Sequence, residues 1–394
     1  MKVLQVIPRF SPKHGGGVIV VKNISKYLSR RGYDVTILTT DYQIDAGYIS
    51  ELQKEGVTVV ALKSLFNYCL FIPSPDIETW LKKNIQGYDL VHLHGARSYQ
   101  NIHVAKYARK YGVPYIIQSH GSILCINGRE TLKNAYDLMW GNKTYESASK
   151  FIALNNREKE QYLQFKIPES KIYEIPNGID LEELVELPEV GYFRGKFKIE
   201  SSENVILYLG RLHKIKGLDL LLDGFYEILK EKTDIKLVIT GPDDGYQEQI
   251  QSKIHLLGIQ DHVILTGPLY GKDKFGAYLD ADIYILPSIY ETFPNTVLEA
   301  WACGKPVIVT KGCGIADYVR RSGIVIEYNE HMLKDAVLKI LCSENIRYDM
   351  SQEGLNIIKN ELNMQVVACL LERLYMSVVG KVAINSPKLN KEIT

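Results

Sequence analysis

The chain has 394 residues, more than a single hydrophobic core ordinarily fills, so two domains are expected. Its 46% hydrophobic and 24% charged residues are those of a globular protein, and a net charge of +1 excludes a general electrostatic field for nucleic acid or a strongly acidic partner. The six cysteines, at 69, 125, 303, 313, 342 and 369, have neither C-x-x-C nor metal-finger spacing and read as reduced thiols of a cytoplasmic protein.

No signal-type segment follows Met1, and no apolar run reaches the ~18 residues of a membrane span. The expectation is a cytoplasmic protein that at most rests peripherally on the inner face of a membrane. Lys2 to Ile7 is a short apolar strand, Gly15-Gly16-Gly17 a glycine turn, and Val18 to Arg31 has helical spacing. Together they make a Rossmann-like opening, without the G-x-G-x-x-G spacing of nicotinamide dehydrogenases. The triple glycine either lets the backbone approach a ligand closely or serves a tight turn.

Buried strands are expected at 34–40, 57–62, 90–94 and 115–119. Between them, residues 64–83 carry an apolar cluster (Leu65, Phe66, Tyr68, Leu70, Phe71, Ile72). It suits a membrane surface, an acceptor groove or an ordinary packed loop and helix. His120 stands beside Gly121 at the carboxyl end of its strand, the sheet edge where α/β proteins bind ligands, although a lone histidine is more often structural. His92, His94 and His120 have no carboxylate or cysteine at ligand spacing, so no metal cage is expected. Residues 129–147 read as helix with a break at Gly141, and two more strands fall at 151–154 and 172–175. The turn Pro176-Asn177-Gly178-Ile179-Asp180 precedes a charged stretch, 186–203, expected to be a linker.

A second strand–helix pattern begins at Val205. After it, Arg211 and Lys216 stand five residues apart before an amphipathic helix and can reach one phosphate pair, Arg211 as a fork and Lys216 as a point charge. Solvated loop cations are the plain alternative. Strands at 235–240 and 263–266 end in Gly241 and in Gly267-Pro268-Leu269. Asp280-Ala281-Asp282 imitates a metal-binding D-x-D but precedes its strand, which puts it at the edge opposite the ligand crevice. A strand at 282–287 then leads to a loop holding Glu291, Thr292, Phe293, Pro294, Asn295 and Thr296. The helix that follows is expected to be capped by Asn295, to carry Glu299 and to end before Pro306. Glu291 and Glu299, with seven residues between them, converge on one strand's carboxyl end, where a helix N-terminus favours a diphosphate and carboxylates accept from sugar hydroxyls. Two solvated glutamates are again the plain alternative. Helices from about 330 to 361 and an amphipathic stretch at 366–379 complete the chain.

The run from Glu291 through Phe293-Pro294-Asn295 to Glu299, followed by Ala300-Trp301-Ala302-Cys303-Gly304-Lys305-Pro306, resembles the E-x7-E signature of retaining glycosyltransferases of the GT-B fold, family 4. Gly210-Arg211-Leu212 with Lys216-Gly217 resembles that family's diphosphate motif, and Ser119-His120-Gly121 its sugar-contacting segment. The resemblance implies an α/β protein of two Rossmann-like domains facing across a cleft. An acceptor-side domain would span 1–185, the linker 186–203 and a donor domain 204–362, with a helix at 363–380 crossing back and a polar tail at 381–394. It further implies metal-independent transfer of sugar from a UDP- or GDP-sugar to a hydroxyl of a saccharide or lipid-linked glycan, in cell-surface polysaccharide or glycoconjugate biosynthesis, with no cofactor. In the roles carried over, Glu299 binds ribose and Glu291 the donor hexose, while Arg211 and Lys216 hold the diphosphate. The backbone of Phe293, Pro294, Asn295 and Thr296 adds N–H donors; Gly241, Pro268 and Leu269 line the nucleotide. Gly15, Gly16 and Gly17 lie close to the donor, and His120 contacts the transferred sugar. A nucleotide-sugar 2-epimerase and a non-catalytic nucleotide-sugar-binding protein share these motifs and remain as alternatives.

Overall fold

A computed structural model describes residues 1–68, 71–123 and 130–380. The chain divides into two compact units, Met1–Asn177 with the residues from Met364 onward, and Gly178–Asn363.

In the first unit seven strands, β1 (Lys2–Val6), β2 (Asp34–Thr40), β3 (Thr58–Leu62), β4 (Leu90–His94), β5 (Tyr115–Gln118), β6 (Lys150–Ala153) and β7 (Ile172–Glu174), form a sheet ordered β3-β2-β1-β4-β5-β6-β7. Neighbouring strands are parallel throughout. Parallel sheets are covered on both faces, so their strands read as apolar runs rather than alternations. On one face Val20, Val21, Ile24 and Leu28 of helix Gly16–Arg30 pack with Leu370, Leu371 and Leu374 of helix Met364–Val378. On the other, Leu81 of helix Ile77–Asn84 and Val104 and Ala108 of helix Tyr99–Tyr111 close the core. The strand order reverses direction between β1 and β4.

The second unit holds β8 (Asn204–Leu209), β9 (Ile235–Thr240), β10 (Val263–Gly267), β11 (Ile283–Leu286), β12 (Val307–Thr310) and β13 (Gly323–Ile326), all parallel and ordered β10-β9-β8-β11-β12-β13. Here the reversal lies between β8 and β11. Strand β13 has no counterpart in the sequence reading, because it follows helix Ala316–Ser322 with no turn cluster between them. Gly323 makes this possible: a Cβ there would fall 2.2 Å from the Val307 carbonyl oxygen, so only glycine lets the strand lie flush against β12.

Three expectations are corrected. The stretch 186–203 is not a free linker, since helix Tyr192–Phe197 is docked on the second unit with Phe193 fully buried. The Asp280 carboxylate accepts from the backbone N–H of Gly191 (2.6 Å), Phe193 (2.8 Å) and Arg194 (3.0 Å), capping that helix from far along the chain. Asn295 is the first residue of helix Asn295–Ala302 and Pro294 occupies the cap position. The break expected at Gly141 is a π turn, Asp137–Gly141, between helices Glu130–Tyr136 and Asn142–Glu146. The expected tail, 381–394, lies outside the described residues, as do Cys69, Leu70, Cys125 and Arg129. Among the described residues no helix is long and apolar enough to cross a membrane.

Candidate functional site

In each unit the candidate residues lie on loops, or on the helices that follow them, at the carboxyl ends of the strands, and Arg211, Lys216 and Glu291 follow β8 and β11, between which the strand order reverses. In the second unit the loops after β8 and β11 are locked together. Gly217 has a left-handed φ of 72°, and a Cβ there would sit 1.9 Å from the Pro287 carbonyl oxygen. The Ile289 N–H donates to the Ile215 carbonyl at 2.9 Å. This close approach brings Lys216 onto Glu291 as an ion pair, the two side chains only 14% and 16% exposed. Glu291 is held in turn by its own backbone, which donates to the Gly312 carbonyl (3.2 Å) and accepts from the Gly314 N–H (2.8 Å).

Glu299, on the second turn of helix Asn295–Ala302, is buried. Lys274 Nζ donates to its Oε1 at 3.0 Å, and the Tyr278 hydroxyl lies 3.0 Å from its Oε2. Burial, with the carboxylate beside it, pushes the Tyr278 hydroxyl well above the ordinary phenol range, so it stays a donor. Phe293 and Pro294 are buried; Asn295 and Thr296 are half-buried, with the Thr296 hydroxyl 2.7 Å from that of Tyr284. Arg211 is exposed and pairs with Asp244. Gly241 packs tightly enough against Gly210 that a Cβ would fall 1.8 Å from its carbonyl oxygen, and its N–H donates to the Gly267 carbonyl at 3.0 Å. Pro268 is exposed and Leu269 half-buried just beyond. Asp280 and Asp282 sit at the opposite strand edge, where Asp282 accepts from the Val205 N–H at 2.7 Å and pairs with Arg194 at 3.2 Å.

In the first unit Gly15 turns the chain with φ 91° and Gly16 and Gly17 open the helix; a Cβ at Gly15 or Gly17 would meet no atom within 4 Å. Packing therefore does not account for glycine at Gly17. His120 is one of the few non-glycine residues with positive φ, 50°. The turn is held by Glu158, a fully buried carboxylate on helix Asn156–Gln164. Its Oε1 accepts from the Ser119 hydroxyl and the Gly121 N–H, both at 2.6 Å, and its Oε2 from the Leu154 N–H at 2.8 Å. Burial pushes the Glu158 carboxyl above the usual carboxylate range, opposed by these bonds. His120 Nε2 lies 2.9 Å from His94 Nδ1, and burial depresses the His120 imidazole to about 4. His92, His94 and His120 do come together, but the ring nitrogens in contact serve hydrogen bonds: His94 to His120 and Gln5, and His92 to Tyr375.

The sequence reading missed Lys274, Tyr278, Asp244 and Glu158, each of which holds a residue it found. Such partners lie on other elements, where no local pattern marks them. The apolar cluster at 64–72 is divided: Ile72 is buried and Phe71 packs on Tyr99 with ring centroids 5.3 Å apart, while Leu65, Phe66 and Tyr68 are exposed.

Two doubly wound parallel sheets in tandem, with polar side chains on the loops at the carboxyl ends of their strands, make a two-domain Rossmann-like architecture. Residues 14–183 match the sequence model of Glycosyltransferase Family 4, and residues 192–356 that of Glycosyl transferases group 1. The chain belongs to this family of GT-B glycosyltransferases, the two matches together spanning most of its length. It is 26% identical over 331 residues to the "Uncharacterized glycosyltransferase MJ1607" of Methanocaldococcus jannaschii, covering 81% of this chain and 83% of that one. It is 23% identical over 332 residues to the D-inositol 3-phosphate glycosyltransferase of Kineococcus radiotolerans, covering 78% and 76%. In fold it is similar to Anabaena Alr3699/HepE, solved in complex with UDP and glucose, with a TM-score of 0.79 at 17% identity over 96% of this chain and 100% of that one.

Proposed function

We propose that this glycosyltransferase moves a sugar from a UDP- or GDP-sugar to a hydroxyl of a saccharide or lipid-linked glycan, with retention at the anomeric carbon and without a metal ion or other cofactor, in cell-surface polysaccharide or glycoconjugate assembly. The observation that carries the proposal is the second unit's switch point, where Lys216, Glu291 and Glu299 are held in place by partners that leave each of them bonding capacity. Lys216 places one N–H on Glu291 and retains two for phosphate oxygens; Arg211 has N–H groups beyond the one on Asp244. As the bond from the anomeric carbon to the diphosphate oxygen breaks, charge grows on the leaving diphosphate, and these two cations with the N-terminus of helix Asn295–Ala302 stabilise it. Glu299, oriented by Lys274 and Tyr278, accepts from the ribose hydroxyls, and Glu291 from the transferred hexose. His120, by the family resemblance, contacts the transferred sugar. The Anabaena protein's UDP and glucose and the D-inositol 3-phosphate glycosyltransferase among the relatives agree with a nucleotide sugar and a hydroxyl acceptor.

The acceptor side includes peripheral contact with a membrane. This is supported by exposed Leu65, Phe66 and Tyr68 and by exposed Leu138, Met139 and Trp140. Both groups flank the start of helix Tyr99–Tyr111, through the Phe71–Tyr99 ring contact and through the Tyr136 hydroxyl accepting from the Ser98 N–H at 3.2 Å.

Steady-state kinetics with UDP- and GDP-sugars tests the reading. Lys216→Ala and Arg211→Ala are each expected to lower kcat by about 10²-fold or more. Unchanged turnover in both variants overturns the assignment. The anomeric proton of the product, read by NMR, reports retention, and activity that persists in EDTA is expected of a metal-independent reaction.

A further inference from the structure

On the face of the first sheet that helix Met364–Val378 covers, a line of polar side chains runs through the apolar core: Tyr375 on the helix, Gln5 on β1, and His92 and His94 on β4, with Gln118 of β5 buried beside His94. Gln5 and His92 are paired in register across β1 and β4, and His94 lies two residues further on the same face. Tyr375, Gln5, His92 and His94 are each at most 1% exposed. Gln5 Nε2 donates to the Tyr375 hydroxyl at 3.2 Å, and Gln5 Oε1 lies 2.7 Å from His94 Nε2. His94 Nδ1 lies 2.9 Å from His120 Nε2, with the two rings stacked 15° from parallel. The Tyr375 hydroxyl also meets His92 Nδ1 at 2.7 Å. Tyr375, Gln5 and His94, from three separate elements, thus make one buried chain of hydrogen bonds that ends on His120, with His92 branching from Tyr375.

Such a chain has a direction. An amide oxygen only accepts, so His94 carries its proton on Nε2 and donates to Gln5. A neutral imidazole has one N–H, so His94 Nδ1 must accept, and the proton between the rings belongs to His120 Nε2. That leaves His120 Nδ1 as a bare lone pair, and it has no hydrogen-bond partner among the described residues. Burial holds His92, His94 and His120 all below their ordinary titration range, so the one-proton count applies at neutral pH. The amide of Gln5 also stops protons from passing along the chain, which makes the line a device for orientation rather than proton transport.

We propose that Tyr375, Gln5 and His94 are positioning residues that fix the tautomer of His120, so that its Nδ1 accepts a hydrogen bond from a hydroxyl of the transferred sugar and does not donate one. The proposal rests on the reading that His120 contacts that sugar. It assigns to the C-terminal helix, through Tyr375, a part in sugar recognition, and it selects for a sugar that presents a hydroxyl proton at that point.

The test uses the full-length protein labelled with 15N-histidine. In the wild type, side-chain 15N shifts and long-range couplings are expected to show His120 protonated at Nε2 and bare at Nδ1. Gln5→Met removes the acceptor while keeping the length. His94 Nε2–H would then be buried without a partner, so His94 shifts its proton to Nδ1, donates to His120 and forces the His120 proton onto Nδ1. This variant is expected to show the inverted tautomer, a kcat lower by about tenfold or more, and a Kd for free UDP or GDP within about twofold of wild type, since the nucleotide is held by the second unit. Gln5→Glu keeps an oxygen facing His94 and is expected to restore both the tautomer and most of the turnover. Tyr375→Phe, which removes only the hydroxyl that anchors the Gln5 amide, gives a smaller effect in the same direction and serves if Gln5→Met fails to fold. A wild-type His120 protonated at Nδ1, or a folded Gln5→Met and Tyr375→Phe pair with unchanged tautomer and turnover, overturns the proposal. If instead His120→Ala leaves turnover intact, the sugar contact itself is refuted, while the tautomer measurement still decides the relay.

Discussion

At the switch point of the second sheet the side chains are oppositely charged pairs, Lys216 with Glu291, Lys274 with Glu299 and Arg211 with Asp244. At that of the first sheet, the groups around His120 are imidazoles depressed by burial and an amide, with the carboxylate Glu158 sunk beneath the loop and one ion pair, Arg97 with Asp137, on the loop after β4. The two sheets share a topology and differ in what they can stabilise. Ion pairs already in place can redistribute toward a diphosphate without a new charge being buried, whereas a neutral donor–acceptor array discriminates among hydroxyls by geometry. Under the proposed function, ion pairs of the first kind suit a charged leaving group and an array of the second kind suits an uncharged sugar.

The difference can be broken from either side. The largest effect on ligand binding is expected in the charged unit. Glu299→Ala removes acceptors for two hydroxyls and strands Lys274, so the donor Kd measured by titration calorimetry should rise about 10- to 100-fold, equivalent to about 1.5–3 kcal/mol for hydrogen bonds to a charged group. Next, Glu158→Ala leaves the Ser119 hydroxyl and the Gly121 and Leu154 N–H groups without their acceptor. It should cost about 3 kcal/mol of first-unit stability, read by denaturant unfolding, and should lower turnover through the His120 turn without weakening nucleotide binding.

The third expectation concerns pH. The folded-state values of His92, His94 and His120 all lie below 6.5, so unfolding takes up protons as pH falls. The stability these histidines contribute is present above 6.5 and lost as pH drops toward 4, at about 1.4 kcal/mol per pH unit for each proton bound only on unfolding. Glu158, displaced upward, acts in the opposite sense through its own range. Melting temperatures between pH 7 and 4 should show the net loss, and His92→Asn should flatten the slope. The smallest structural effect belongs to Gly17→Ala. A Cβ there meets nothing within 4 Å, so Tm should hold or rise slightly, while a glycine kept for ligand approach predicts lower turnover in the same variant.

Much of this was legible in the sequence, and the reason is periodicity. Parallel strands buried on both faces leave runs such as Asp34–Thr40 and Ile235–Thr240 whose limits were read correctly, and the loop between β11 and β12 carries Glu291 and Glu299 in one local segment. The supports were not legible. Lys274 meets Glu299 from the preceding helix, Glu158 reaches the His120 turn from the helix after β6, and Asp280 caps Tyr192–Phe197 from the end of helix Gly271–Asp280. The stretch 186–203 looked like a linker because its periodicity is weak, and it is folded because a carboxylate 87 positions away from Phe193 supplies its cap.

The sequence by itself determined the two α/β units, the edge on which each site lies and the residue types at that edge, because strand periodicity and glycine turns are local properties of the chain. Only the tertiary structure decided which of those residues stand alone and which are paired, and that Gln5 and His94 form a line from Tyr375 to His120, with His92 branching from Tyr375. Hydrogen bonds and ion pairs depend on distances of about 3 Å between side chains brought together by sheet order and helix packing, and positions hundreds of residues apart acquire such distances only when the chain has folded.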